Sequence, residues 1–235
     1  MGTRQPGNAT HGENEDRHSG RADSLLGLFE PNPAARPTTP EEMDMRKLIA
    51  GMKVSLDGKV EGPEGYADWV PAWSEDYNLT PRVDAVVIGG GMYPGYEHYW
   101  TVIKNQPDKP HLLTGKVPTP GEIEWSHFAA QTPHHVLSNT LTSAEWPQTR
   151  FIRNTEEITG LKQQTGKDIY LMGGARITAS LIDAGLVDEI RLIVYPLIAG
   201  EAKALFGTTE RRHALELREV QQLQEGLVSL VYTIA

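Results

Sequence analysis

The sequence predicts an α/β fold on a mostly parallel sheet covered by helices on both faces. Three observations predict it. Apolar runs such as Asp84–Ile88 and Asp168–Met172 read as strands buried on both sides. Segments with helical spacing alternate with these runs, as crossover connections between parallel strands require. Two runs end in glycines, Gly89-Gly90-Gly91 and Gly173-Gly174, each leading into a helical pattern.

The elements follow in order. Residues 1–44 are rich in Gly, Pro, Asn, Arg and acidic residues, and are expected to be a disordered tail. Their one apolar cluster, Leu25–Phe29, is too small to offset the entropy of ordering the segment. The tail is either a solvated extension, or the result of a start codon placed too early with the true start at Met43 or Met45, or a short peptide that docks through Leu25–Phe29. The domain then spans residues 45–235. Strands are expected at Arg46–Met52, Asp84–Ile88, Lys109–Thr114, His134–Ser138, Phe151–Ile152, Asp168–Met172 and Glu189–Tyr195. Leu227–Ile234 closes the chain as an antiparallel partner of its neighbour. Helices are expected through Tyr99 after the first glycine cluster, and over Pro120–Ala130, Thr155–Gln164 and Ala175–Ala184. Pro120 suits a first helical turn, and Gly185 suits a C-cap.

Composition narrows the function classes. The 235 residues carry a net charge of −9. Residues 1–44 hold four basic against eight acidic side chains, and residues 45–235 hold 18 against 23. Neither part is a basic nucleic-acid surface. No apolar run approaches a membrane span, and the N-terminus lacks a secretory core, so a cytoplasmic protein is expected. There are no cysteines, and the histidines form no His-x-x-x-His or His-Glu-x-x-His pattern, so no metal site is expected.

The chemistry concentrates in Asp168–Leu181. A strand ends at Met172, two glycines let a ligand approach the backbone, and the following helix start favours an anion. Arg176 in the first turn could pair with a phosphate. The alternative is a tight strand-to-helix turn and nothing more. A second such turn at Gly89–Gly91 on the same sheet would place two glycine clusters across one crevice, where open α/β sheets bind ligands. Tyr93, Tyr96, Tyr99 and Trp100 could stack on a flat ligand or pack a helix.

Ile169-Tyr170-Leu171-Met172-Gly173-Gly174-Ala175-Arg176 resembles the strand–Gly-Gly–Arg–helix signature of dihydrofolate reductases. It also resembles the related reductase domain of the bifunctional riboflavin-biosynthesis deaminase–reductase, the RibD C-terminal family. Ser55-Leu56-Asp57-Gly58, Val136–Thr140, Ala184–Leu192 and Tyr195–Gly200 continue the likeness in order, across Met45–Ala235. The resemblance implies a three-layer α/β/α dihydrofolate reductase-like fold with a C-terminal antiparallel hairpin. It implies NADPH as cofactor, with NADH not excluded. Gly173, Gly174, Ala175, Arg176 and Ile177 would cradle the pyrophosphate, and Gly89, Gly90 and Gly91 would lie beneath it. Ser138 and Asn139 would touch the adenosine 2′-phosphate. The substrate would be a small pterin- or aminopyrimidine-like heterocycle near Met52, Trp69, Trp73 and Tyr195. Asp57 and Glu75 are the carboxylates considered as proton donors, against a turn role for Asp57 and a solvated one for Glu75. Gly90 stands where dihydrofolate reductases usually carry Arg, and Met172 where riboflavin-type reductases carry Glu. A homodimer is expected from the same likeness. Two other readings share the fold: a nucleotide-binding protein without catalysis, and a dimeric scaffold.

Overall fold

The alternating pattern places the central strands of the sheet between two cores. A computed structural model describes residues 45–71, 73 and 77–235. Strand β1 (Leu48–Ser55) runs parallel to two neighbours and is followed by the short β2 (Lys59–Glu61). Next come β3 (Val83–Gly89), α1 (Tyr93–Asn105), α2 (Pro120–Gln131), β4 (His134–Leu137) and β5 (Thr149–Ile152). Then follow α3 (Glu156–Lys162), β6 (Asp168–Gly173), α4 (Ala175–Asp183), β7 (Glu189–Tyr195) and β8 (Lys203–Ala204). The chain ends in β9 (Leu215–Gln222) and β10 (Val228–Ile234), joined through a 3-10 turn at Gln224–Gly226.

Eight strands form one sheet in the order β5-β4-β3-β6-β1-β7-β10-β9. All pairs are parallel as far as β7, and β10 is antiparallel to both β7 and β9. Side chains point alternately to the two faces. Ile49, Val86, Ile88, Tyr170 and Met172 join a core with Tyr93, Tyr96 and Trp100 of α1 and Trp125 of α2. Leu48, Ala50, Ala85, Val87, Ile169 and Leu171 join the other, with Ile158 and Leu161 of α3 and Ile177, Leu181 and Ile182 of α4. The result is the three-layer arrangement with a C-terminal hairpin.

The aromatic residues of α1 serve this packing. Tyr93 and Trp100 are buried, Trp100 lies edge-on to Trp73, and the Tyr93 hydroxyl donates to Glu97 at 2.6 Å. Helix α2 starts on a capping box: Thr119 accepts from the Glu122 amide, and Glu122 accepts from the Thr119 amide at 2.8 Å. Gly185, at φ +70°, follows α4 in the left-handed region expected of a C-cap.

One strand expectation needs correction, and one strand was not expected. Lys109–Thr114 is a turn: the Gly115 amide donates to the His111 carbonyl at 2.8 Å, and the His111 amide to the Lys116 carbonyl at 2.9 Å. Leu112 and Leu113 are exposed by 97% and 80%, so the apolar run has no sheet face to cover. Conversely, Leu215–Gln222 forms a strand whose eight residues are all exposed. Its apolar positions fall out of strict alternation, which hid it. The expectations for residues 1–44 lie outside the described residues.

Candidate functional site

The parallel strands β4, β3, β6 and β1 end on one edge of the sheet. Strands β3 and β6 are adjacent there, with β4 beyond one and β1 beyond the other. This is a topological switch point, where the connections diverge and leave a crevice. The residues expected to hold a cofactor meet at this edge.

Gly89 ends β3, and a Cβ there would lie 3.4 Å from the Ile177 side chain. At Gly90 a Cβ would lie 2.5 Å from the Cβ of Ser138, closer than any real contact of this kind. The Gly90 amide donates to the Leu137 carbonyl at 2.9 Å, fixing the turn against the end of β4. The absence of the Arg usual in dihydrofolate reductases thus has a local cause: Ser138 occupies the space a side chain would need. Ser138 itself makes a tight turn, its hydroxyl accepting from the amides of Thr140 (3.3 Å) and Leu141 (3.1 Å).

Gly173, at φ +106°, ends β6, and its peptide bond to Gly174 is cis. A Cβ at Gly173 would lie 2.8 Å from the Met52 sulfur. Met52 therefore backs the glycine turn, on the side of β1 shared with Val54 and Ala175. Gly174 caps α4 with no side-chain hydrogen bond. The first intrahelical bond runs from the Thr178 amide to the Gly174 carbonyl at 3.1 Å, so the amides of Ala175, Arg176 and Ile177 precede it. A Cβ at Gly174 or Gly91 would meet nothing within 4 Å, so open space adjoins these backbones. Arg176 is exposed beside them, as is Asn139 beyond Ser138. Backbone amides at a helix start, bare glycine backbone and one guanidinium fit a pyrophosphate.

Arg153 adds a cation that sequence reading missed. Its guanidinium donates to the Ser138 carbonyl and to the Leu141 carbonyl (2.9 Å), and lies over the Phe151 ring. Only the pairing of β4 with β5 brings it to the Ser138 turn.

The expected substrate residues do not form one set. Trp69, Trp73 and Tyr195 belong to the α1–α2 side of the sheet, whereas Met52 faces the α4 side. Trp73 packs on Trp125 (4.4 Å between centroids) and on Trp100 (5.3 Å). Lys53, the neighbour of Met52, turns to this aromatic face, its ammonium 5.8 Å from the Trp73 ring. Its signal was a lone cation inside an apolar strand. The Trp69 indole N–H is buried with no partner among the described residues.

The proton-donor expectations change as well. Asp57 accepts from the Ser55 hydroxyl (2.6 Å) and from the amides of Ala199 (2.9 Å) and Gly200 (3.0 Å). The Ser55 hydroxyl, then the Ala199 amide, hold its pKa down at about 2. An ionised, triply bonded carboxylate has no proton to give at neutral pH; Asp57 ties the 55–58 loop to the segment after β7. Glu75 lies outside the described residues. The buried carboxylate beside Trp73 is Glu122, whose Oε1 is 3.4 Å from the Trp73 amide and 3.3 Å from the Tyr99 hydroxyl. Burial, then Glu122, pushes the Tyr99 hydroxyl up to about 12. The Thr119-x-x-Glu122 spacing was the available signal for Glu122. Among the described residues no cluster of His, Asp and Glu could hold a metal, and no helix is long and apolar enough to cross a membrane.

A three-layer fold with glycine turns at the switch point defines the class of dihydrofolate reductase-like folds. The model of the RibD C-terminal domain family matches residues 46–229. The chain belongs to that family. It is 31% identical over 196 residues to the uncharacterized protein YyaP of Bacillus subtilis, covering 81% of this chain and 96% of that protein. Among solved structures it resembles a candidate riboflavin biosynthesis protein from Shewanella sp. PV-4, with a TM-score of 0.57 and 19% identity. That match covers 80% of this chain and 99% of the other. It also resembles dihydrofolate reductase from Enterococcus faecalis, solved with NADP(H) and RAB-propyl, with a TM-score of 0.51 and 14% identity over 80% and 96% of the two chains. These structural likenesses establish the dihydrofolate reductase-like fold.

Proposed function

We propose that the protein is an NAD(P)H-dependent reductase of a flat, nitrogen-containing heterocycle of the pterin or aminopyrimidine kind. One observation carries this reading: two glycine turns and the free first-turn amides of α4 stand together at the ends of adjacent parallel strands. The amides of Ala175–Ile177 and the Arg176 guanidinium would hold the pyrophosphate. Gly89–Gly91 would let the dinucleotide lie against the backbone. Ser138, Asn139 and Arg153 would meet the adenosine end, and Arg153 would favour the 2′-phosphate of NADPH over NADH. The bound nicotinamide would supply a hydride. Met52 backs Gly173 and so fixes the wall of the crevice. Lys53 and the Trp73 ring offer a cation and a flat apolar surface to the substrate on the other face. With Asp57 tied, water delivers the proton.

Binding without turnover is the second reading, and the ionised Asp57, held by three hydrogen bonds in a structural role, favours it. Tryptophan fluorescence titration with NADPH and NADH, followed by absorbance assays with pterin and aminopyrimidine substrates, separates the two. Saturable NADPH binding with substrate-dependent oxidation supports the reductase. Binding with no oxidation of any such substrate supports the second reading. No binding of either nucleotide at millimolar concentration refutes both.

A further inference from the structure

The edge of the sheet opposite the glycine turns holds a cavity of about 300 Å³, where β3, β4 and β5 begin. Ala85, Pro133, Pro147 and Leu161 give it apolar walls. Ala85 and Leu161 place it on the α3 side of the sheet. Helix α3 runs back from the Ser138 edge toward this one, antiparallel to β5 and β6. Its seven residues, roughly 10 Å of helix, separate the cavity from the crevice.

Three hydrogen-bond donors converge on it. His135 and Arg150 are directly opposed in the β4–β5 pairing, so their side chains project to the same face. Arg46 enters from the segment before β1 and is 93% buried, being only 7% exposed. The one acid that lines the cavity is Asp84, and both of its oxygens are engaged. Oδ1 accepts from Arg46 Nη2, and Oδ2 accepts from the Lys167 amide at 2.9 Å. Arg46 Nε donates to the Lys167 carbonyl, which leaves Nη1 without a partner among the described residues. The Arg150 guanidinium and the His135 ring make no hydrogen bond or ion pair among those residues either. Burial, then Arg150 and Arg46, hold the His135 imidazole down at about 4, with Glu157 acting in the opposite sense. The cavity is thus net positive in a chain of net charge −9.

We propose that this cavity binds a phosphate group through the Arg150 fork, Arg46 Nη1 and His135. A guanidinium fork matches the geometry of phosphate oxygens, and Arg150 has its whole fork to offer. Phosphate brings three acceptor oxygens and close to two negative charges, against two oxygens and one charge for a carboxylate. Three donor groups and two guanidinium ions with one engaged carboxylate between them fit the phosphate better. An anion beside His135 would also favour its protonated form, turning a silent ring into a third charged donor. The volume lies at the lower end of small-molecule pockets, so the apolar walls leave room for a short organic body carrying the phosphate.

Proton NMR of the His135 ring in the full chain tests this, with inorganic phosphate and glycerol 3-phosphate as probes and sodium chloride of equal ionic strength as control. Saturable shifts at millimolar phosphate are expected, and the His135 pKa should rise from about 4 toward the ordinary 6.5. Tighter binding of glycerol 3-phosphate assigns the site to a phosphorylated metabolite, and tighter binding of inorganic phosphate to the free ion; either supports the proposal. Arg150 is exposed, so Arg150→Gln should fold normally and weaken binding about tenfold or more, with Arg150→Lys in between. No saturable shift with either probe overturns the proposal. So does an equal response to sodium chloride, or an unchanged affinity in a folded Arg150→Gln. The readout involves no NADPH, so it stands or falls apart from the reading of the crevice.

Discussion

Replacing Gly90 by Ala probes the contact between the two strand-end turns. The new Cβ would lie 2.5 Å from the Ser138 Cβ, whereas carbon atoms pack comfortably at about 3.5–4.0 Å. One of the two turns must therefore retreat by about 1 Å. The Ser138 turn is poorly able to do so. Its amide donates to the Ile152 carbonyl at 3.1 Å, its hydroxyl accepts two amides, and Arg153 grips its carbonyl. Overpacking of this kind costs about 1–3 kcal/mol. In a domain of this size each kcal/mol moves the melting temperature by roughly 2–4 °C, so a fall of roughly 2–12 °C is expected. Gly91→Ala is the control, because its Cβ meets nothing within 4 Å and should leave the melt unchanged. Melting with and without NADPH adds the functional readout. A saturating ligand at 100 times its Kd stabilises by about 2.7 kcal/mol, and Gly90→Ala should lose most of that gain. Wild-type melting and a wild-type NADPH shift in Gly90→Ala would refute the reasoning.

Three further outcomes are expected. Burial holds the His134 imidazole near pKa 4, against 6.5 in the free chain, and the unfolded state takes up more protons between these values. Stability should therefore fall as pH is lowered through that window, by about 3 kcal/mol at pH 4; urea unfolding of wild type and His134→Gln checks this, and equal slopes would count against it. Arg153→Gln should lower the NADPH-over-NADH preference by about tenfold, read from the two Kd values; an unchanged ratio removes Arg153 from cofactor choice. Asp57→Asn should speed hydrogen exchange at the Ala199 and Gly200 amides while leaving the pH profile of turnover unmoved, whereas a catalytic acid would show lost turnover and unaltered exchange.

Local signals determined much by themselves. The runs Asp84–Ile88 and Asp168–Met172 announced buried strands because both of their faces are apolar, and the glycines after them announced close-approach turns. The Glu189–Tyr195 strand and the Pro120, Thr155 and Ala175 helices were equally legible from period and caps. What the sequence could not carry depends on distant partners. Met52 faces one side of β1 and Lys53 the other, so the neighbours across the sheet, not the motif, divide the cofactor wall from the aromatic face. Asp57 reads as an acid in a loop until Ala199 and Gly200, more than 140 positions away, are seen to hold it. Gly90 looks like a lost arginine until Ser138 is found in its space. Strand β9 was hidden because a bulge, visible only in its pairing with β10, re-phases its apolar residues. Periodicity is a property of neighbours in the chain, whereas a site is made by residues that only tertiary packing brings together.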